Sequence, residues 1–202
     1  MKQLIDWNIL DQLSYRTTLE KSLKNTIRKF DRNALFDELT NYISFLIENA
    51  DILEEEHRIK SYHSCELKYN KYYPSTEVEK VFNDILGIRI TVSDYSEVKT
   101  IALPSMVKVV DLQSGKANDD GYRAIHYYYQ KDHFYYPIEV QVMSSHDKTF
   151  NEWLHTDIYK YGYDNSVGLH LKSMYDNGII NSKEDFRKEM QNYVLSNSKK
   201  TH

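Results

Sequence analysis

Apolar residues recur at every second position over Leu86, Ile88, Ile90 and Val92, with Gly87, Arg89 and Thr91 between them. That period predicts a strand with one face in the core and Arg89 on the other. Asp84 stands just ahead of it, where an acid serves as a metal ligand or simply ends a helix. The same period runs through 121–142. Ile138, Val140 and Val142 point into an apolar layer, Glu139 and Gln141 share the opposite face, and Tyr122 and His126 lie on one face of the preceding run. A turn at Lys131-Asp132-His133 makes the two runs a hairpin. A carboxylate, an amide, an imidazole and a phenol on one sheet face read as a site. The wet face of an edge hairpin would use the same residue types. Val107 to Leu112 reads as a further strand.

Helical periods flank these strands. Leu19, Leu23, Ile27 and Phe30 recur at helical spacing, which predicts a helix over Asp11 to Phe30 with that face in the core. A second follows over Asn33 to Asn49. Lys21, Lys24, Arg28 and Arg32 recur on the opposite side, either as a solvated face or as a binding surface. Ser75 can cap a short helix ending near Asn83, and Ser93 or Asp94 caps another reaching about Ala102. Helices follow over Asp147–Tyr161 and Val167–Asp176, the latter stopped at Gly178. Ser182 with Asp185 resembles a capping box for a last helix bearing Phe186, Met190, Tyr193 and Val194. The basic tail 196–202 is expected to fray. Helices, then mixed helices and strands, then helices make an α+β domain with helical extensions.

Composition narrows the classes. A chain of 202 residues that is 41% hydrophobic can bury one large core. A net charge of −4 argues against indiscriminate nucleic-acid binding and leaves local basic patches open. The single cysteine, Cys65, excludes an internal disulfide and a cysteine-built zinc site. No run approaches the roughly 20 apolar residues of a membrane span, and no signal-peptide core is present, so a cytoplasmic place with no membrane contact is expected. Arg58, Lys60 and Lys68, with Ser61 and Ser64, group cations and hydroxyls within eleven residues without a glycine. This is not a Walker loop, yet cationic side chains can hold a polyphosphate without one. A charged loop leading into a helix is the plainer reading.

In order, these motifs resemble the synthetase domain of RelA/SpoT enzymes, in particular the small alarmone synthetases, over roughly Arg58 to Tyr161. Arg58-x-Lys60-Ser61-x-x-Ser64-x-x-x-Lys68 resembles the ATP-binding segment, and Asp84-x-x-Gly87-x-Arg89 the first magnesium-aspartate strand. Gly121-Tyr122-Arg123-x-x-His126 is similar to the acceptor strand, whose tyrosine stacks on a base. Glu139-x-Gln141 resembles the strand with the second acid, and His155 with Tyr159-Lys160-Tyr161 the closing helix. The resemblance implies a nucleotidyltransferase-like mixed sheet flanked by helices. A core over 51–163 would lie between an N-terminal helical extension, 1–50, and C-terminal helices with a tail, 164–202. It implies transfer of the β,γ-pyrophosphate of ATP to a ribose 3′-hydroxyl, with AMP released. Asp84 and Glu139 would then be the catalytic acids and the ligands of Mg²⁺. Arg58, Lys60, Ser64, Lys68 and Arg89 would bind ATP, and Tyr122, His126 and Gln141 the acceptor. The roles of Asn151 and His155 stay open.

Departures from the family pattern bear on the acceptor. Asp120, beside Asp119, replaces an asparagine, Met143-Ser144 replaces Arg-Thr, and a second adenine-facing arginine beyond Arg89 has no counterpart. Fewer cations and one more acid point to the toxic, toxin–antitoxin branch, whose members pyrophosphorylate the 3′-terminal adenosine of tRNA. The Lys21, Lys24, Arg28, Arg32 stripe would then follow the tRNA backbone. An antitoxin protein and a second copy of the chain are the expected partners. The alternatives are an alarmone synthetase making (p)ppGpp from GDP or GTP, a silent nucleotide- or RNA-binding regulator, and a nucleotidyl-transferring enzyme. Retention of both acids argues against the silent regulator. No His/Asp hydrolase region fits upstream, which implies synthesis without degradation.

Overall fold

Five strands, β1 (Glu56–Ile59), β2 (Leu86–Val92), β3 (Val107–Asp111), β4 (Ile125–Tyr129) and β5 (Ile138–Ser144), form a mixed sheet in the order β1-β2-β5-β4-β3. The computed structural model describes residues 4–198. β5 is central, and its alternating Ile138, Val140 and Val142 are fully buried. Glu139, on the other face, is buried as well. The polar side of the hairpin is therefore an enclosed surface and not the wet face of an edge. β2 shows the expected alternation, with Leu86, Ile88, Ile90 and Val92 buried. β1 pairs antiparallel with β2, setting Glu56 opposite Arg89 and Arg58 opposite Gly87. As an edge strand, β1 is short and carries exposed charged side chains, which discourages pairing with another chain.

The helices begin where capping side chains allow. Asp6 caps α1 (Trp7–Gln12), Asp31 caps α2 (Arg32–Asn49), and Ser61 caps α3 (Tyr62–Tyr72). α4 (Val78–Val81) starts after Glu77 with no side-chain cap, so Ser75 does not play the expected part. Tyr95–Thr100 is a 3-10 segment shorter than the helix expected there.

The predicted helix over 11–30 is not formed. After α1 the chain is irregular up to a 3-10 turn at Ile27–Lys29. The cause lies elsewhere in the sequence. Glu38, buried on α2, accepts from the Thr17 hydroxyl (2.7 Å), the Thr18 N–H (2.5 Å) and hydroxyl (2.8 Å), and the Tyr136 hydroxyl (2.8 Å). The N–H groups of Thr17 and Leu23 donate to Phe134 and His133 carbonyls, each at 2.7 Å, and that of Ile27 to the Thr76 carbonyl at 2.9 Å. With so many backbone groups paired outside the segment, no helical ladder remains available to it. Leu23, Ile27 and Phe30 are buried all the same.

The basic residues consequently share no helix face. Lys21 donates to the Lys29 carbonyl (3.0 Å), and Arg32 lies over the Phe36 ring and pairs with Glu66 (3.2 Å). Lys24 is exposed on the irregular stretch and Arg28 on the 3-10 turn that follows.

The chain divides into two compact units. The first takes the residues up to 90, with 96–110 and 126–142; the second takes 91–95, 111–125 and the residues from 143 on. In the second, α5 (Ser145–Trp153) continues into a π turn at Leu154–Ile158 and a 3-10 turn at Tyr159–Tyr161, where one helix was expected. α6 (Asn165–Asp176) ends before Gly178, whose φ of 69° is left-handed as a helix stop requires. α7 (Lys183–Ser198) opens with the predicted capping pair, the Asp185 N–H donating to Ser182 Oγ at 3.1 Å. Phe186 is fully buried beside Phe150, Leu154 and Leu171, with Met190, Tyr193 and Val194 against them. Of the tail expected to fray, 199–202 lie outside the described residues. No helix of the described residues is long and apolar enough to cross a membrane.

Candidate active site

Lys60 leaves β1 with its N–H donating to the Ile85 carbonyl (2.8 Å), which extends the β1–β2 pairing and brings its side chain beside Asp84. Its ammonium meets Asp84 Oδ2 at 2.8 Å although the side chain is only 8% exposed. Lys68, on α3, meets Oδ1 at 2.8 Å, and the Arg58 guanidinium stands 3.7 Å from Oδ2. Four residues from three segments thus converge, three cations around one carboxylate. Burial would raise the Asp84 pKa, but the charges and hydrogen bonds of Lys68 and Lys60 hold it below the usual carboxylate range. Ser64 lies in the first turn of α3, its N–H on the Ser61 cap (3.3 Å). Arg89 instead pairs with Glu56 across the two strands, at 2.9 Å.

A second cluster sits on the polar face of β4 and β5. Glu139 Oε1 lies 3.0 Å from His126 Nδ1 and accepts the Tyr128 hydroxyl at 2.9 Å, while Oε2 accepts from Gln141 Nε2 at 2.8 Å. Three groups therefore fix the carboxylate. Burial would raise its pKa; His126 and Tyr128 outweigh that and bring it down, with Asp84 opposing them. An influence of Asp84 on Glu139 means that the two acids feel each other. Gly87 explains how they come close: a Cβ built there would stand 3.7 Å from Glu139 Oε2, so β2 passes directly beneath. Tyr128 is the residue that the sequence reading missed, although it follows His126 by two and so shares its face.

Among the described residues no group of three or more His, Cys, Asp or Glu side chains could hold a metal. Nucleotide-bound Mg²⁺ does not require one, because one or two carboxylates suffice beside phosphates and water. Asp84, just ahead of β2, and Glu139, on the neighbouring β5, are two ionised hard-oxygen donors and fit that demand.

The expected acceptor segment belongs to the second unit up to Ile125. Tyr122 precedes β4 rather than lying on it, and its ring is half-buried against the Phe150–Leu171 core. Asn151 grips the next residue from both sides: its Oδ1 accepts the Arg123 N–H (3.2 Å) and its Nδ2 donates to the Arg123 carbonyl (2.8 Å). The acids here are not free. Arg123 holds Asp119 through two guanidinium nitrogens, at 2.7 and 2.9 Å. Asp120 is buried and takes the Lys116 ammonium (2.6 Å) and the Tyr159 hydroxyl (2.7 Å). The acidity expected of Asp120 is thus neutralised on the spot. Met143 is buried, and Ser144 caps α5. His155 is exposed, its ring edge-on to Tyr159.

The model of the region found in RelA/SpoT proteins matches residues 57–164, just over half of the chain and the stretch that holds both clusters. The chain belongs to the RelA/SpoT family. No curated protein matches this RelA/SpoT chain. Solved structures similar to it include small alarmone synthetase 1 from Bacillus subtilis bound to its product pppGpp, at 21% identity and a TM-score of 0.46 over 82% of this chain and 92% of that one. A GTP pyrophosphokinase family protein from Streptococcus pneumoniae is 18% identical, with a TM-score of 0.48 over 79% and 91%. Small alarmone synthetase 2 from Bacillus subtilis is 18% identical, with a TM-score of 0.44 over 84% and 95%.

Proposed function

We propose that this RelA/SpoT chain, a pyrophosphokinase, moves the β,γ-pyrophosphate of ATP onto the 3′-hydroxyl of the terminal adenosine of tRNA and so blocks translation as a toxin. The donor half rests on the cations around Asp84. Lys60 and Lys68 turn from the aspartate to the phosphates when ATP enters, and Arg58, more than half exposed, covers the adenine with its planar guanidinium. Asp84 and Glu139 hold Mg²⁺, which supplies charge neutralisation at the transferring phosphates. Glu139 is held ionised and in one orientation by its three donors, ready to polarise the attacking hydroxyl. The ribose oxygen bonds to the β-phosphorus, the bond to the α,β-bridging oxygen breaks, and AMP departs.

The acceptor half rests on one observation. Lys116 and Arg123, the cations closest in sequence to Tyr122, are committed to Asp120 and Asp119. A segment that neutralises itself offers no ready charge to a 5′-polyphosphate, whereas a tRNA end needs only a stacking ring, Tyr122, and polar groups, His126 and Gln141. Lys24 and Arg28 then supply exposed positive charge for the backbone, as separate contacts rather than a stripe, while Lys21 and Arg32 would first leave the Lys29 carbonyl and Glu66. An antitoxin protein partner and a cytoplasmic place of action belong to this reading. A second acceptor is GDP or GTP, which the paired acids Asp119 and Asp120 no longer repel although the segment offers it no cation; the product would then be (p)ppGpp.

ATP labelled on the γ-phosphate, offered deacylated tRNA, GDP and GTP with Mg²⁺, separates these readings. Label on tRNA that disappears when the terminal adenosine is removed is the expected result. Label on GDP or GTP transfers the assignment to alarmone synthesis, and no AMP release with any acceptor overturns the enzymatic reading.

A further inference from the structure

The C-terminal helices carry no residue of either cluster, yet α6 makes the tightest backbone approach seen at any glycine of the chain. A Cβ on Gly168 would stand 2.1 Å from the Asp120 carbonyl oxygen, and one on Gly121 would stand 2.6 Å from the Gly168 carbonyl oxygen and 2.9 Å from Lys172 Cβ. Gly121 also has a φ of 85°, a left-handed conformation in which other residues are strained. Two glycines therefore face each other where helix and loop meet, and neither can carry a side chain without moving the other. Beside this contact, Asn165 Nδ2 donates to the Asn118 carbonyl (3.2 Å), and the Tyr159 hydroxyl donates to Asp120. On the far side of Tyr122, Asn151 fixes Arg123. The loop is held at 118, 120, 121 and 123, and the ring at 122 is braced by the core that α6 and α7 build.

We propose that α6 is the seat of the acceptor loop, with Gly168 as the positioning residue that sets where Tyr122 presents its ring to the acceptor base. This rests on the reading of Tyr122 as the stacking platform. A glycine within a helix costs stability relative to alanine, so packing alone does not favour it at an interior position of α6. The close backbone approach does. Gly168→Ala would push the Asp120 backbone away by close to an ångström and carry Tyr122 with it.

Steady-state kinetics of Gly168→Ala, Tyr122→Ala and Leu169→Ala, a neighbouring exposed position, test this with ATP and deacylated tRNA varied in turn and GDP run in parallel. For Gly168→Ala the expected result is an acceptor KM raised on the order of tenfold and an unchanged ATP KM, with a lowered Tm because a backbone carbonyl must give way to the new methyl group. Leu169→Ala should change neither KM. An unchanged acceptor KM in Gly168→Ala, or equal effects on both substrates, overturns the seat. Tyr122→Ala separates the two ideas. If it leaves the acceptor KM alone, the platform itself is wrong; if it raises that KM while Gly168→Ala does not, only the seat is wrong. Should Gly168→Ala fail to fold, Asn165→Ala loosens the same loop without a clash, and its acceptor KM decides: a rise supports the seat and no change overturns it.

Discussion

Asp84→Asn is expected to lower magnesium-dependent turnover on the order of a thousandfold, the equivalent of about 4 kcal/mol of transition-state charge stabilisation. The amide keeps the size of the side chain and removes its charge. Lys60 and Lys68 lose their resting partner and become more available to phosphate, so the ATP KM should hold or fall while kcat collapses. That split distinguishes loss of a metal ligand from loss of a nucleotide contact, which would raise KM. Initial rates over a magnesium series give both parameters, and near-normal turnover would remove Asp84 from the metal site. The same variant carries a pH signature. Because the folded-state pKa of Asp84 lies below its ordinary value of 3.8, its contribution to stability is complete above that value and is lost as the pH falls through the lower, folded one. Thermal unfolding on acidification should fall more steeply for the wild type than for Asp84→Asn.

The second large effect is on stability. Glu38→Ala should destabilise the fold by about 3–5 kcal/mol, because it strips the acceptor from three hydroxyls and one backbone N–H around a buried site. Glu38→Gln keeps one accepting oxygen and should cost less. Urea unfolding of both variants gives the values. A loss below about 1 kcal/mol in Glu38→Ala would mean that water replaces the carboxylate and that the network fixes the path of the chain without stabilising it.

These two residues mark the limits of legibility. Asp84 could be read because the strand after it announces itself by period, and Glu139 and Gln141 because β5 alternates cleanly. α2, α6 and the Ser182–Asp185 cap were equally local in origin. The segment 11–30 was not. Its apolar spacing fits a helix, and three of the four marked residues are buried, but burial is compatible with more than one backbone path. What chose the path was an acid on α2 and carbonyls at 133 and 134, and nothing within the segment signals those partners. The same holds for Asp119 and Asp120. Their spacing to Arg123 and Lys116 is four residues, yet in a loop that spacing gives no guarantee of contact, so their neutralisation could not be foreseen. Tyr128 is a different case. Its parity with His126 was available, and the surrounding run of tyrosines hid it.

The ring of cations around Asp84 has a bearing on how the protein responds to its ionic surroundings. A bare cationic pocket loses affinity for a polyphosphate as salt rises, because screening weakens only the bound state. Here each lysine that grasps a phosphate first releases the aspartate, and screening weakens the contact it leaves as well as the one it makes. Filling the pocket is an exchange of counter-ions. Under the proposed reading, retention of ATP should therefore be nearly indifferent to salt over a range in which contacts made by the exposed Lys24 and Arg28 with an RNA backbone would be erased.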